Sequence, residues 1–409
     1  MIWVAVVAGF VGLVFIHEVG HFGVALLVGM RPRSFYIGFP PALVKIKRRG
    51  IEYGLGAIPL GGFVRIPGMH RPAARDLQIL LEPAIGEQPS LAPAALRVRR
   101  ALNAEDYDAA RVAYAELEEE VAAASLSRSA RRAAVRALRD VEEGTSSDAY
   151  WQAPTWKRVA VIGAGPAANV VAAFLILFVM FGTSGGPTSK GTRDVAAVDA
   201  GKPAAHAGLR PGDLIVAVDG EPTRTFADVS HLIRASRGAP ITLTVVRNGE
   251  RLRLGPAATI RSHGRWIWGF LPAAKIVRYP VGGAASSAAH DLWSVVTQTG
   301  SGIASLFKSH SRAQLSGPVG ILRAGHAELQ QGVTWYLGLL AFVSMSLALM
   351  NLIPLLPLDG GHILFSLIES VRRRALAREV YERVSLVGIA LILLVFVIAF
   401  HNDTSHLFG

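Results

Sequence analysis

The 409-residue chain contains no cysteine. Disulfides are therefore excluded, and any bound metal must be held by histidine, aspartate or glutamate. Charge is scarce as well. Only 18% of residues are Asp, Glu, Lys or Arg, 51% are hydrophobic, and the mean hydropathy is +0.37. This balance excludes an ordinary soluble globule and implies several membrane spans. Four nearly uncharged runs, at about 2–28 (interrupted by Glu18), 159–181, 333–356 and 384–401, approach the ~20 residues a helix needs to cross a bilayer. No basic residue occurs in 1–14, so the first run lacks the n-region of a cleaved signal peptide and reads as a retained span.

What charge there is has a strong bias, with a formal net charge of +12. Nucleic acid is not the expected partner, because the basic residues crowd the ends of the spans. Arg31, Arg33, Lys45, Lys47, Arg48 and Arg49 follow the first run with no acid among them. Arg372, Arg373, Arg374, Arg378 and Arg383 lie between the third and fourth. The positive-inside rule then puts both basic loops in the cytoplasm and both termini outside, in a multi-pass protein of the cell membrane.

Between the spans the character changes several times. Residues 31–70 include YGLGAIPLGGFVRIPG (53–68), short extended pieces around Gly61-Gly62 that are too broken to span but apolar enough to dip into lipid. Residues 71–150 form a cytoplasmic insert. Its 71–96 part is Pro- and Ala-rich and reads as a linker; a helical hairpin is predicted at about 104–124 and 127–143, with Val112, Leu117, Val121, Val135, Leu138 and Val141 facing inward. This insert is either a solvated structural element or a docking module. Residues 188–262 read as a soluble α/β unit with an Asn-Gly hairpin in VRNGE. Residues 263–332 read as an extracytoplasmic connector with an amphipathic helix near 287–307. Trp151, Trp156, Trp266, Trp268 and Trp335 suit membrane-interface anchoring.

The chemistry concentrates in two places. The first run, within 1–30, holds HEVGH. His17 and His21, four apart, share one helix face and suit one zinc ion, while Glu18 lies near enough to serve a water on that metal as general base. A charge in mid-bilayer costs roughly 2.5–3.5 kcal/mol on insertion scales, so compensation within a protein-lined pocket is expected. The competing explanation is a pair of buried, hydrogen-bonded histidines. A third ligand is needed, and the best candidate is remote: Asp359, in NLIPLLPLDGGH (351–362), ends an uncharged stretch that begins at Leu329. Pro354 and Pro357 unwind the third span (333–358) at that point, and Gly360-Gly361 allow close backbone approach. The alternative is a helix-terminating Asp before a turn. His362 adjoins the motif. GAGPAAN (163–169) lacks a βαβ context and reads as part of the second span (157–182), with Asn169 as a polar contact between helices.

HEVGH in a first span together with N-x-x-P-x-x-P-x-D-G-G in a later one resembles the site-2 protease family of intramembrane zinc metalloproteases. GKPAAHAGLRPGDLIVAVDG resembles the core of a bacterial PDZ domain, which the RseP-type branch carries between its second and third spans. AIPLGGFVRIPG resembles that family's membrane-reentrant β segment, and LSGPVGI (315–321) its segment before the third span. The resemblance covers nearly all of the chain outside 71–150, and only one PDZ-like unit fits.

It implies a polytopic α-helical membrane protein of about four transmembrane helices, with the fourth at 384–401. A membrane-reentrant β segment, an extracytoplasmic PDZ-like domain and the cytoplasmic helical insert complete the expected architecture. It further implies one zinc ion on His17, His21 and Asp359, Glu18 as base, and substrate contacts from Asn351, Gly61, Gly62 and Phe63. The expected partners are the lipid bilayer and single-span membrane proteins, trimmed first by an upstream site-1 protease; no nucleic acid is expected. The expected function is regulated intramembrane proteolysis of an anti-sigma factor or of remnant signal peptides. A non-catalytic PDZ-containing scaffold or chaperone is the alternative.

Overall fold

The computed structural model describes residues 2–262, 264–305, 317–374, 376 and 378–408. Phe307, at the end of the predicted amphipathic helix, and Leu315-Ser316, at the start of LSGPVGI, lie outside the described residues. The chain divides into two compact units, 178–287 and the remainder.

In the larger unit, α1 (Ile2–Leu27) is about 39 Å long at 1.5 Å per residue, enough to cross the ~30 Å hydrocarbon layer. It leads into β1 (Ser34–Arg48) and β2 (Ile51–Arg65). These two strands form more than a simple hairpin. Residues 42–48 pair antiparallel with 51–56, and β2 then doubles back so that 62–65 pair antiparallel with 34–37. Residues 34–37 thus lie between two partners, because Ser34 is matched by both Glu52 and Arg65. The stretch 62–65 is left as an edge among the described strands.

The insert is a four-helix unit: α2 (Ala74–Glu87), a 3-10 turn at Pro89–Leu91, α3 (Ala92–Asn103), α4 (Tyr107–Ala123) and α5 (Arg128–Thr145). The predicted linker is therefore helical. Leu77, Leu81 and Ala84 recur at helical spacing and bury against Val98, Leu102, Leu117, Val121, Leu138 and Val141. Pro89 and Pro93 open the turn and α3, where a proline is accommodated, and Pro83 lies within α2 without ending it. Asp106 and Ser127 cap α4 and α5 through Ala109 N–H and Ala130 N–H. Val112 and Val135, predicted to face inward, are exposed; Ala113 and Ala134 take the core positions. The shift arises because the inward stripes are built from alanines, which a search for large apolar residues passes over.

A second 3-10 turn, Tyr150–Gln152, precedes α6 (Thr155–Thr183), which spans the boundary between the units. The smaller unit is an antiparallel sheet. Its strands are β3 (Gly186–Val198), β4 (Leu214–Val218), β5 (Glu221–Pro222), β6 (Pro240–Arg247), β7 (Glu250–Ala258) and β10 (Phe270–Val277). The order is β10-β3-β4-β6-β7, with β5 on β4; α7 (Pro203–His206), α8 (Phe226–Ala235) and the small ladder of β8 (Ile260–Ser262) with β9 (Arg265–Ile267) accompany it. Asn248 and Gly249, both at positive φ, make the predicted tight turn between β6 and β7. The sheet runs beyond the expected boundary at 262, because β10 pairs along β3. Trp268 is a core residue with its indole N–H on Ala257 O, not an interface anchor. Trp151 also departs from that expectation, lying under the Arg71 guanidinium and against Tyr107.

The chain continues through α9 (Val281–Ser305), α10 (Pro318–Gln331), α11 (Val333–Asn351), α12 (Asp359–Arg372) and α13 (Arg378–Phe408). Four helices are long and apolar enough to cross a membrane: α1, α6, α11 and the Glu379–Asp403 part of α13. Cross-links within the larger unit fix those near the site. Tyr336 of α11 donates to Val6 O of α1 at 2.9 Å, and Ser344 donates to Asn169 O of α6 at 2.8 Å. Arg158, at the start of α6, forms a buried 2.6 Å ion pair with Glu369, and Tyr150 hydrogen-bonds Ser366, so α12 is held at two points.

In the sheet unit, Asp213 takes a bidentate Arg247 guanidinium at 2.7 and 2.8 Å and the Arg210 N–H at 2.9 Å. Burial alone would raise its pKa, but these donors outweigh burial and hold the carboxyl below the usual carboxylate range. The stabilisation is therefore complete above the unfolded-state value of about 4 and is lost as pH falls through the folded one. Arg247→Met leaves a buried carboxylate unpaired, at a cost of about 3 kcal/mol. In the full-length protein at pH 7, protection of the β4 and β6 amides from hydrogen exchange should fall on the order of 100-fold. The gap between variant and wild type should narrow as the pH falls below the usual carboxylate range and through the folded carboxyl's own lowered pKa.

Candidate active site

HEVGH occupies successive turns of α1, and its three polar side chains are all buried, with His17, Glu18 and His21 between 8% and 9% exposed. The two imidazoles meet edge to face, with their Nε2 atoms 3.2 Å apart.

Asp359 comes from the opposite end of the sequence. Helix α11 stops at Asn351, the backbone turns through Pro354 and Pro357, and Asp359 opens α12. Gly360 and Gly361 explain how tightly this turn is wound. A Cβ at Gly360 would strike the backbone of Leu352 and Ile353, and one at Gly361 that of Leu355 and Leu356. The result places Asp359 Oδ2 at 3.2 Å from His17 Nε2 and 3.4 Å from His21 Nε2.

Three ligand-type atoms thus form a nearly equilateral triangle. Bonds of 2.0–2.1 Å arranged tetrahedrally put neighbouring ligand atoms about 3.3–3.4 Å apart, which is the spacing found. Oδ2 is buried and forms no well-directed hydrogen bond. An orphaned carboxylate oxygen and two imidazole nitrogens aimed at one point suit a divalent cation better than shared protons, and the all-N/O set suits zinc. Glu18 stands outside the trio.

The far side of each ring is also engaged. His21 Nδ1 donates to Val161 O at 2.8 Å, which leaves Nε2 as the lone-pair nitrogen. His17 Nδ1 lies 3.2 Å from the Asn169 side-chain amide. Asn169 is fully buried with its Oδ1 unpartnered. Turning that amide so that Oδ1 accepts the Nδ1–H satisfies the oxygen and fixes the same tautomer on His17. Gly165 completes this face of α6: a Cβ there would run into both imidazoles.

Sequence reasoning misses Gly165 and takes Asn169 only as an inter-helix contact. The available signal is their spacing: 161, 165 and 169 are four apart and share one helix face.

The other predicted residues lie as follows. Gly62 backs directly onto Glu18, where a Cβ would come within 2.8 Å of its Cγ. Gly62 and Phe63 belong to the free edge of β2, opposite Ile37 and Tyr36, and Phe63 stacks on Tyr36 at 5.0 Å. Gly61 packs against the Phe39 ring. Asn351 ends α11, half-buried, with no side-chain hydrogen bond among the described residues. His362 lies one turn along α12 from Asp359 and is not part of the triangle.

Comparison with known proteins gives a consistent family. The pattern of peptidase family M50 matches residues 5–395. A protein of Agrobacterium fabrum that carries a zinc metalloprotease name is 31% identical, over 97% of this chain and 94% of its own. The zinc metalloprotease RasP of Bacillus licheniformis is 30% identical over 97% of both chains. The regulator of sigma-W protease RasP of Bacillus subtilis is 28% identical over 97% of this chain and 96% of its own. Matched along nearly its whole length, the chain belongs to peptidase family M50, the site-2 protease family, and is a zinc metalloprotease of that type.

Proposed function

We propose that the protein cuts the transmembrane segments of single-span membrane proteins, with one zinc ion held by His17, His21 and Asp359 and with Glu18 as the general base. The observation that carries this reading is the triangle of two Nε2 atoms and one Oδ2, 3.2 to 3.4 Å on a side, among helices apolar enough to span a bilayer. Zinc bound there supplies a Lewis acid that polarises the scissile carbonyl and lowers the pKa of a water to about 7.

The chain's own residues do the rest. Glu18 is turned about 100° round α1 from His17, beside the trio. Its carboxylate takes the proton of the attacking water and passes it to the departing amide nitrogen. Asn169 and Val161 O orient the two imidazoles.

A transmembrane substrate hides its amides in i→i−4 hydrogen bonds and must unwind before attack. The 62–65 edge offers the unwound segment a strand to pair with, and Gly62 brings that edge against Glu18. Gly61 and Phe63 flank the contact, and Asn351 presents an uncommitted amide. In this reading β1–β2 is the membrane-reentrant segment and the 178–287 sheet is a PDZ-like domain outside the membrane. That domain either excludes substrates with intact ectodomains or binds the new C-terminus left by an upstream site-1 protease. Both termini are extracytoplasmic, and the four-helix insert is cytoplasmic. The sigma-W name of the Bacillus subtilis relative favours an anti-sigma-factor-like substrate; remnant signal peptides suit the same chemistry.

Three outcomes are expected. Glu18→Gln should lower cleavage of a tagged single-span substrate by about 10²- to 10⁴-fold while zinc content holds, and equal rates would remove the base role. Asn169→Leu should weaken zinc about 10- to 100-fold in competition with a chelator; unchanged affinity would show that the amide orients nothing. Phe63→Pro should cut turnover at least tenfold with zinc retained if the β2 edge pairs with substrate, whereas a wild-type rate would exclude that pairing.

A further inference from the structure

Where α1 ends, the hairpin tip and the end of the helix line a half-open cavity of about 620 Å³. Four arginines line it: Arg31 and Arg33, just past α1, and Arg48 and Arg49, at the turn between β1 and β2. Arg33 is neutralised by Asp148 at 3.1 Å. The side chains of Arg31, Arg48 and Arg49 have no ion pair or hydrogen bond among the described residues. Glu52, the acid nearest in sequence to this turn, is engaged by Tyr36 and by Lys45. It precedes Tyr53 in an extended strand, so its side chain points to the face opposite the cavity-lining Tyr53. Three guanidinium groups at one cavity repel one another, and among the described residues no carboxylate pairs with them: Asp148 is taken by Arg33 and by the Arg31 backbone N–H.

The rest of the lining is apolar. Leu26, 43% exposed, forms one wall, and the neighbouring Leu27 is 84% exposed at the very end of the span. Tyr53 lies beside them, an aromatic of the kind that settles at a membrane–water boundary. Basic groups above an apolar wall, one turn from the end of a spanning helix, match the level where phosphates meet acyl chains. Arginine forks suit phosphate because they bind two of its oxygens at once.

We propose that this cavity binds the phosphate headgroup of an anionic phospholipid, with the acyl chains lying along the exposed end of α1. The lipid supplies the missing counter-charge and holds the hairpin tip at the bilayer surface. The proposal rests on α1 being a membrane span and is independent of the residue roles at the metal site.

The test uses full-length protein in mixed detergent–lipid micelles, with lipid retention read by native mass spectrometry and zinc content as the check of folding. Wild type should retain phosphatidylglycerol over phosphatidylcholine by more than about tenfold. Combined Arg31→Gln, Arg48→Gln and Arg49→Gln should abolish the preference, with zinc unchanged. Combined Arg372→Gln, Arg373→Gln and Arg374→Gln, at the exposed C-terminal end of α12, should leave it intact. Should the first triple variant not be recovered with zinc, Arg48→Gln alone should reduce the preference about fivefold. Equal losses in both triple variants would reduce the effect to net charge and overturn the site. So would equal retention of the two lipids, or displacement of the lipid by millimolar inorganic phosphate or by an acidic peptide.

Discussion

A carboxylate and two imidazoles converge on one point among membrane-spanning helices, and most of the larger unit is arranged to make that tolerable. A charged group in hydrocarbon is expensive, and an unsatisfied one more so. Asp359 Oδ2 has the two histidine nitrogens as near neighbours and no well-directed hydrogen bond. In the reading proposed here, a cation shared by all three compensates the carboxylate where it is buried. The electrostatic demand then sets the packing demand: α1 and α12, more than 330 positions apart in sequence, must hold their ligands within a few tenths of an ångström.

The fold meets that demand with small residues and paired polar groups. Gly165 lets α6 approach the imidazoles, Gly62 lets the β2 edge approach Glu18, and Gly360 and Gly361 seat α12 on the turn before it. Each position has backbone or a functional side chain where a Cβ would go, so even alanine is excluded without displacement. Tyr336, Ser344, Tyr150 and Arg158 lock the helices further out, at sites where a hydrogen bond or ion pair is satisfied away from the reacting centre. The free strand edge and the ligand triangle meet at Glu18, which touches Gly62 on one side and follows His17 on the other.

Much of this is legible in the sequence, for a physical reason. Polar residues in an apolar run stand out, so His17, Glu18, His21 and Asp359 are recognisable from the chain alone. The prolines and paired glycines around Asp359 likewise announce an unwound helix end. What stays hidden depends on packing. The 71–96 helices are obscured because prolines signal breaks, while here Pro89 and Pro93 sit at starts and Pro83 is carried inside α2. The Val112 and Val135 assignments fail because alanine stripes carry little hydrophobic contrast. β10 and Trp268 join the sheet by long-range pairing that no local pattern records. Gly165 and Asn169 are visible only as spacing on a helix face and acquire meaning from the imidazoles beside them.

The central claim concerns the atoms around one ion, so zinc K-edge X-ray absorption of the purified full-length protein tests it most directly. The account predicts a four-coordinate N/O shell at about 2.0–2.1 Å, with scattering from two imidazoles and none from sulfur, that loses an oxygen ligand in Asp359→Ala. A spectrum without the imidazole pair, or a shell that Asp359→Ala leaves unchanged, would contradict it.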